Sequence, residues 1–404
     1  MVKPWDTATI GDFLDFKNGL NKGKEFFGYG TPIVNYTDVY RKRGLTKSDV
    51  RGKVNLTRDE IHRFDARKND VFFTRTSETP EEVGMSSVLL DDIDDCVFSG
   101  FVLRGRPKND MFVPEYCKYC FTTEAIRSAI IMGCTYTTRA LTNGTQLSAI
   151  EIVVPPKPEQ EAIAKSLTEI DDLISSLEKL ITKKKTIKQG AMQELLTGKR
   201  RLPGFSEKWE EKPIGFFGNF ISGNCFPIEY QGCPRGELPF YKVSDFNSAG
   251  NSRVMGKANN YISHNIASVL SCKIIPKNSV VFAKIGAAIS LERKRITGFD
   301  CCIDNNMMSF LPYQKNIAAY MCYLFQTIRF GEFVEATALP SLSGKTIGEI
   351  QRTFPPTVEE QIAIATVLSD LDFEIEALER KLTKYRQVKQ GMMQQLLTGK
   401  IRLV

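Results

Sequence analysis

A stretch of fifteen residues occurs twice in this chain, and its two positions constrain how everything else can be laid out. Residues 188–202 read KQGAMQELLTGKRRL and residues 389–403 read KQGMMQQLLTGKIRL, identical at 12 of 15 positions and differing only at Ala191/Met392, Glu194/Gln395 and Arg200/Ile401. The register continues upstream without a gap. Gln160, Ala162, Ile163, Ala164, Leu167, Ile174 and Leu177 return 201 residues later as Gln361, Ala363, Ile364, Ala365, Leu368, Ile375 and Leu378. Each copy therefore closes one half of the protein.

Apolar residues in the first copy fall at Ile163, Leu167, Ile170, Ile174, Leu177 and Ile181, and in the second at Ile364, Leu368, Leu371, Ile375, Leu378 and Leu382. Alternating steps of four and three are those of a coiled-coil seam. Lys184 or Tyr385 takes the next core position before the stripe resumes, so a supercoil must relax there. Pro155-Pro156 and Pro355-Pro356 stand ahead of the pattern, glutamates (Glu159, Glu161; Glu359, Glu360) occupy the first turn, and Gly198 or Gly399 follows as C-cap. Two helices of roughly 40 residues, about 60 Å long, are too long to be core elements of small domains. Each needs a partner for its stripe, and the other copy is the obvious one. Gly190 and Gly391 sit inside the pattern, where glycine costs about 1 kcal/mol; their recurrence points to a close backbone approach, with a simple bend as the alternative.

The duplication reaches further than the helices. Trp5, Ile10-Gly11, Phe13, Phe16 and Gly19 recur at a constant offset of 204 as Trp209, Ile214-Gly215, Phe217, Phe220 and Gly223. KNDVFFTRTS from Lys68 answers KNSVVFAKIG from Lys277, and NGTQLSAI ending at Ile150 answers SGKTIGEI ending at Ile350. Short apolar runs (33–36, 71–74, 97–103, 152–154; 240–243, 279–283) bounded by Gly, Pro, Asn and Asp read as strands, and 114–132 and 314–335 read as helices beside them. The expected fold class is α+β: two tandem domains, 1–154 and 204–354, separated by a pair of long helices at 155–203 and 355–404.

At 404 residues, with 42% hydrophobic and 25% charged, the composition is that of a soluble globular chain. No apolar run approaches ~20 residues and no signal peptide opens the sequence, so the expected location is the cytoplasm and no membrane contact is expected. Ten cysteines then read as reduced thiols, and Cys117-Lys-Tyr-Cys120 has no second pair, so no metal site is expected. Motifs for chemistry fail one after another. Phe26-Phe27-Gly28-Tyr29-Gly30 has the F-x-G-x-G form of S-adenosylmethionine-binding methyltransferases but no accompanying N-P-P-[FY]. Ser343-Gly344-Lys345-Thr346 lacks the first glycine of a phosphate loop, and Glu292-Arg293-Lys294 lacks the aspartate of a nuclease core. No catalytic residue is assigned.

What remains is basic. Arg41, Lys42, Arg43, Arg75, Thr76, Ser77, Arg104, Arg106 and Arg139 in the first half, and Arg235, Lys242, Arg253, Lys284, Arg293, Lys294, Arg295 and Lys345 in the second, lie near expected strand ends and loops. Several are duplicated in place, as Arg75 with Lys284. With a net charge of +7, such a pattern is compatible with a polyanion partner and suits a phosphate-facing surface shared by the two halves.

Two divergent domains, each closed by P-P followed by E-Q (Pro155 to Gln160; Pro355 to Gln361), a long helix and L-L-T-G-K, resemble the DNA-specificity subunit of type I restriction-modification systems over the whole chain. The resemblance implies a non-catalytic subunit whose two target recognition domains each read one half of a bipartite, asymmetric DNA site. It implies antiparallel helices that set the spacing and dock methyltransferase subunits, two in number, joined by restriction-translocase subunits. S-adenosylmethionine, ATP and magnesium are then expected on those partners, with no cofactor on this chain. The seam Ile163–Ile181 is expected to run against Leu382–Ile364. Two other readings stand beside this one: a methyltransferase or nuclease in its own right, which would bind S-adenosylmethionine alone, and a coiled-coil adaptor, which would show no salt-sensitive DNA binding.

Overall fold

The computed structural model describes residues 4–334 and 340–403. The chain forms two compact units, one of Met1–Glu178 with Lys381–Val404 and one of Lys179–Arg380. These cut across the four linear segments read from sequence, because each long helix, Lys157–Leu195 and Val358–Leu396, contributes its beginning to one unit and its end to the other.

The first unit is built on a five-stranded sheet in the order Leu14–Asn18, Val102–Pro107, Val71–Thr74, Ser86–Leu89, Gly44–Leu45. Its strands pair antiparallel except the last, which is parallel. In the second unit the order is Gly218–Ser222, Met307–Pro312, Val280–Ala283, Lys294–Thr297, Val254–Met255, with the same senses. The central strand of each follows a turn whose asparagine, Asn69 or Asn278, has φ of 72° or 64°, a conformation asparagine tolerates better than most residues. Hence the repeated Lys-Asn before each apolar run. A two-stranded ribbon closes each domain onto its helix, Asp6–Thr9 with Glu151–Val154 and Glu210–Pro213 with Gln351–Phe354.

Several expected elements are shorter or broken. The helix expected over 114–132 is two, Pro114–Cys120 and Glu124–Gly133. Phe121 turns inward between them to meet Phe73 edge-on at 5.2 Å, and Thr123 caps the second. Of 314–335, only Ala318–Gln326 is α-helical, flanked by 3-10 turns at Lys315–Ile317 and Phe330–Phe333; Glu335 lies outside the described residues. The run 97–103 is two strands with a turn at Ser99–Phe101. The strand at 240–243 stops at Tyr241, where the Asp245 carboxylate accepts from the Lys242 amide at 2.7 Å.

Within each unit the beginning of one long helix runs antiparallel to the end of the other. Ile163, Ala164 and Leu167 share a core with Leu396 and Leu397, and Ile364, Ala365 and Leu368 share one with Ala191, Leu195 and Leu196. This differs from the expected pairing of Ile163–Ile181 with Leu382–Ile364: the two apolar stripes are displaced along each other, so that each LLTGK end packs on a helix start. Charge pairs fix the register. Asp171 meets Lys389 and Glu178 meets Arg386 in the first unit, while Asp372 and Glu374 meet Lys188 and Lys184 in the second, both at 2.7 Å. Among the described residues a Cβ built on Gly190 or Gly391 would meet nothing within 4 Å, which does not fit the close approach expected at these glycines.

The helix ends are locked by a clasp made twice. Glu159 is 0% exposed; Arg402 donates Nε and Nη2 to its two oxygens, each at 2.5 Å, and Trp5 Nε1 donates at 2.9 Å. In the second unit Glu360, 1% exposed, receives Arg201 Nε and Nη2 at 2.7 and 2.8 Å and Trp209 Nε1 at 3.3 Å. The tryptophan rings lie over Gly399 and Gly198, whose φ of 69° and 71° end the helices. A side chain there would be both strained and in the way.

Removing one partner of a buried, bidentate pair leaves the other charge uncompensated, at a cost of about 3–5 kcal/mol. Arg402→Ala is therefore expected to destabilise the first unit, because it strands the buried Glu159 carboxylate. The chain's two tryptophans each sit on one clasp, so in a Trp209→Phe background Trp5 fluorescence should report the loss as a lower urea midpoint. Acid should act in the same place. Burial pushes the Glu159 carboxyl up, but Arg402 and Trp5 outweigh it and hold it below its ordinary value. That stabilisation is complete above the unfolded carboxyl's pKa and is lost as pH falls toward the lower folded value. Trp5 fluorescence unchanged by either treatment would remove the clasp from this role.

Candidate nucleic-acid interface

At the end of the central strand the two units present a basic side chain through the same pattern of backbone hydrogen bonds. Arg75 follows Val71–Thr74; its amide donates to the Phe101 carbonyl at 2.9 Å, and its carbonyl accepts from the Thr142 amide at 3.0 Å. Lys284 follows Val280–Ala283; its amide donates to Asn306 at 2.8 Å, and its carbonyl accepts from Leu342 at 2.8 Å. The sequence equivalence of the two residues is thus a structural one. Both residues are half-buried.

Beyond Arg75 the first unit builds a small sheet in which Thr76–Ser77 pairs with Ala140–Leu141, and that with Thr135–Tyr136. The turn of this hairpin carries Thr137, Thr138 and Arg139, all exposed, beside exposed Tyr136. Tyr36, Thr76, Ser77, Glu78, Thr79, Glu82, Phe101 and Arg139 surround an open cavity of about 520 Å³. Arg41 ends the short helix Tyr36–Arg41, which is tied in place by Tyr40 donating to Glu82 at 2.8 Å. A two-stranded ribbon fits the major groove of B-DNA, and threonine and arginine are side chains suited to reading base edges. Periodicity did not mark this hairpin because its strands are only two residues long; Tyr36, Phe101, Tyr136, Thr137 and Thr138 escaped notice for that reason. The corresponding segment of the second unit falls on 335–341, largely outside the described residues.

Other candidates are placed elsewhere. Arg104, 4% exposed, donates to the Asp65 carbonyl at 2.8 Å and carboxylate at 3.0 Å and lies over Phe98. Arg106 beside it is bidentate to Asp70 at 2.9 and 2.8 Å and reaches Asp65 as well. Lys294, 1% exposed, pairs with Glu292, donates to the Ile328 carbonyl at 2.9 Å, and sits 4.4 Å from the Phe330 ring centre. Arg104 and Lys294 are internal, their charges paired inside the fold, and Ser77 is buried at the wall of the cavity with its hydroxyl donating to Glu82 at 3.0 Å.

Arg43 and Arg253 are corrected in a second way. Each precedes the edge strand of its sheet and points at the helix pair: Arg43 reaches Met393 Sδ at 3.5 Å and the Tyr119 ring, and Arg253 lies 3.8 Å over Phe373. Next to them Tyr119 donates to Asp171 at 3.0 Å and Tyr323 to Asp372 at 2.7 Å, the same aspartates that hold Lys389 and Lys188. These arginines fasten domain to helix. Arg295 donates to the Asn251 and Lys294 carbonyls, Arg293 to Asn247, Lys242 to Gln231, and Lys42 pairs with Asp49. Arg235 is exposed, and Lys345 is exposed with Glu349 4.0 Å away.

The other motifs resolve as structure. Gly28 and Gly30, with φ of 104° and 95°, lie within the strand Phe27–Val34, which pairs irregularly with Gly52–Val54, and Tyr29 is exposed. Among the described residues no group of three His, Cys, Asp or Glu could hold a metal ion, and no helix is long and apolar enough to cross a membrane.

If Arg104 and Lys294 are internal struts, Arg104→Ala should lower stability by about 3 kcal/mol, read as a shift in urea midpoint, while DNA affinity of the folded fraction stays unchanged. Weaker DNA binding at undiminished stability would restore them to the interface.

Comparison with known proteins places these features in a context. The family described as the type I restriction modification DNA specificity domain matches residues 2–189 and again 206–385. The putative type I restriction enzyme MjaX specificity subunit of Methanocaldococcus jannaschii is 23% identical over 424 residues, covering 99% of this chain and 94% of that one. The MjaVIII specificity subunit of the same organism is 23% identical, covering 99% and 93%. The crystal structure of the type I restriction-modification system S subunit from M. genitalium superposes with a TM-score of 0.60 at 15% identity, covering 97% of this chain and 96% of that one, and so shares the fold. The HsdS subunit from Thermoanaerobacter tengcongensis gives 0.50 at 15% identity, covering 99% and 98%.

Proposed function

This chain belongs to the type I restriction-modification DNA specificity family, and we propose that it works without chemistry of its own, each of its two domains reading one half of a bipartite asymmetric DNA site. Its partners in this reading are double-stranded DNA, two methyltransferase subunits that carry S-adenosylmethionine, and restriction-translocase subunits that use ATP and magnesium, all in the cytoplasm. The observation that carries the DNA reading is the equivalent placement of Arg75 and Lys284 at the ends of matching strands. A duplicated position that keeps its charge while its surroundings diverge suits contact with the repeating part of the ligand, the phosphate backbone. The divergent hairpin with Tyr136 and Arg139 suits the variable part, the base edges. The long helices, common to both units, set the spacing of the half-sites.

Salt separates the two roles. Arg75→Ala and Lys284→Ala are expected to weaken binding on all sequences alike and to lower the slope of log affinity against log salt by about 1 each. Arg139→Ala is expected to cost about 1–3 kcal/mol on the cognate site and to relax selectivity at one base pair. Binding titrations over a salt series read the first, and mapping of methylated bases in a host carrying this chain and its methyltransferase partner reads the second. Salt-independent binding throughout would favour a coiled-coil adaptor, and turnover by the purified chain alone would favour an enzyme.

A further inference from the structure

The two units differ sharply at one matched place, the pocket beneath the ribbon that joins each domain to its helix. In the first unit it is filled by the chain itself. Between the strand Val102–Pro107 and the helix at Pro114 run six residues, Lys108 to Val113. Phe112 meets Phe13 edge-on at 5.0 Å, and the buried Gln160 amide reads the peptide on either side: Nε2 donates to the Met111 carbonyl at 3.0 Å, and Oε1 accepts from the Val113 amide at 2.9 Å. In the second unit the same interval, Tyr313 to Ile317, is one residue shorter and coils into a turn, so that the amide of Ile317, which precedes the helix as Val113 does, donates to the Gln314 carbonyl at 3.2 Å. Gln361, the counterpart of Gln160, is 2% exposed; its Nε2 donates to Pro355 at 3.2 Å, but its Oε1 has no hydrogen-bond partner among the described residues. A buried amide oxygen left in this way costs roughly 1–3 kcal/mol.

The place is open as well as unsatisfied. A slot of about 180 Å³ lies over Gln361, lined among others by Phe216, Phe217, Tyr313, Phe354 and Val358. A protein cavity of about 150 Å³ accepts benzene, so one aromatic side chain fits. Its rim is more apolar than its counterpart. Phe216, 58% exposed, stands where the first unit has Asp12, and Val358 where it has Lys157, which there pairs with Asp110 of the filling loop. The charges remaining at the rim, Glu210 and Lys212, neutralise each other at 2.8 Å.

We infer that this slot is a docking site for an extended polypeptide segment of a partner protein, one that inserts an aromatic side chain against Phe217 and gives the following peptide N–H to Gln361 Oε1. The segment does in trans what Met111-Phe112-Val113 does in cis in the first unit. Only the second unit can take it, since the first is already filled. The site is independent of which DNA sequence the domains read.

The first unit supplies the probe. A fluorophore-labelled peptide, Lys-Asn-Asp-Met-Phe-Val, titrated with the full-length chain, is expected to bind saturably, and replacing its Phe by Ala should weaken binding at least tenfold, from the loss of one buried ring. Gln361→Leu should weaken it about fivefold or more, with a melting curve to establish that the variant is folded. Phe216→Ala, at an exposed position that folding does not depend on, should weaken it independently. No saturable binding up to about 2 mM, a limit corresponding to only the weakest specific association, would overturn the inference. So would equal binding of the Phe and Ala peptides, or equal binding by the wild-type chain and both variants.

Discussion

The clasp of one buried glutamate, one arginine and one tryptophan is the contact on which the layout depends. Isolated helices gain little from propensity alone and need tertiary packing, and a seam of leucines and isoleucines tolerates more than one register. A buried carboxylate does not. Glu159 and Glu360 each sit in the first turn of a helix, where negative charge is favoured, and each can be neutralised only if the arginine after the opposite repeat arrives within reach. Any sliding of the stripes would strand a charge in the core. The register is therefore set by the cost of the wrong alternatives more than by the gain of the right one.

From that register the attachment of the domains follows. Tyr119 and Tyr323 donate to Asp171 and Asp372, which face lysines of the opposite helix, so one carboxylate joins helix, partner helix and domain. Arg43 and Arg253 add a stacked guanidinium from the edge of each sheet. The domain is held at its ribbon by the clasp and at its sheet edge by these groups. A strand end held from two sides is a rigid base for short loops, and a reading surface needs such a base.

Sequence revealed the features that repetition and period encode: the tandem halves, the two long helices with their glycine caps, the central strands and the matched Arg75 and Lys284. It misplaced what depends on packing. The displaced seam was hidden because the heptad stripe and the LLTGK end are both apolar, and only the position of Arg201 and Arg402 past the helix ends distinguishes the registers. Charge was the poorer guide within the domains. Arg104 and Arg106 belong to an aspartate network around Asp65 and Asp70, and Lys294 to Glu292, partners near in space but scattered in sequence. The hairpin bearing Arg139 was too short to show a period, although a Tyr-Thr-Thr-Arg run between two apolar segments is a turn with polar side chains to offer.

Because the chain carries its own second copy, it separates scaffold from function without any other sequence. Positions alike in both halves, the clasps and the Tyr-Asp-Lys joints, are those where the physics admits few solutions. The halves part company in sequence at the segment that forms the Arg139 hairpin in the first unit, and in structure at the loop over Gln160 and Gln361. Divergence on an exposed tip costs little, since few buried groups depend on it, and it is free to follow whatever the surface must recognise. Divergence at the second place is different, because a loop coiled into a turn gives its amide to its own carbonyl, away from the buried glutamine, and leaves aromatic rings at the surface. A fold that keeps the glutamine but not its partner retains half of a hydrogen-bonded contact, and the missing half has the dimensions of a short peptide.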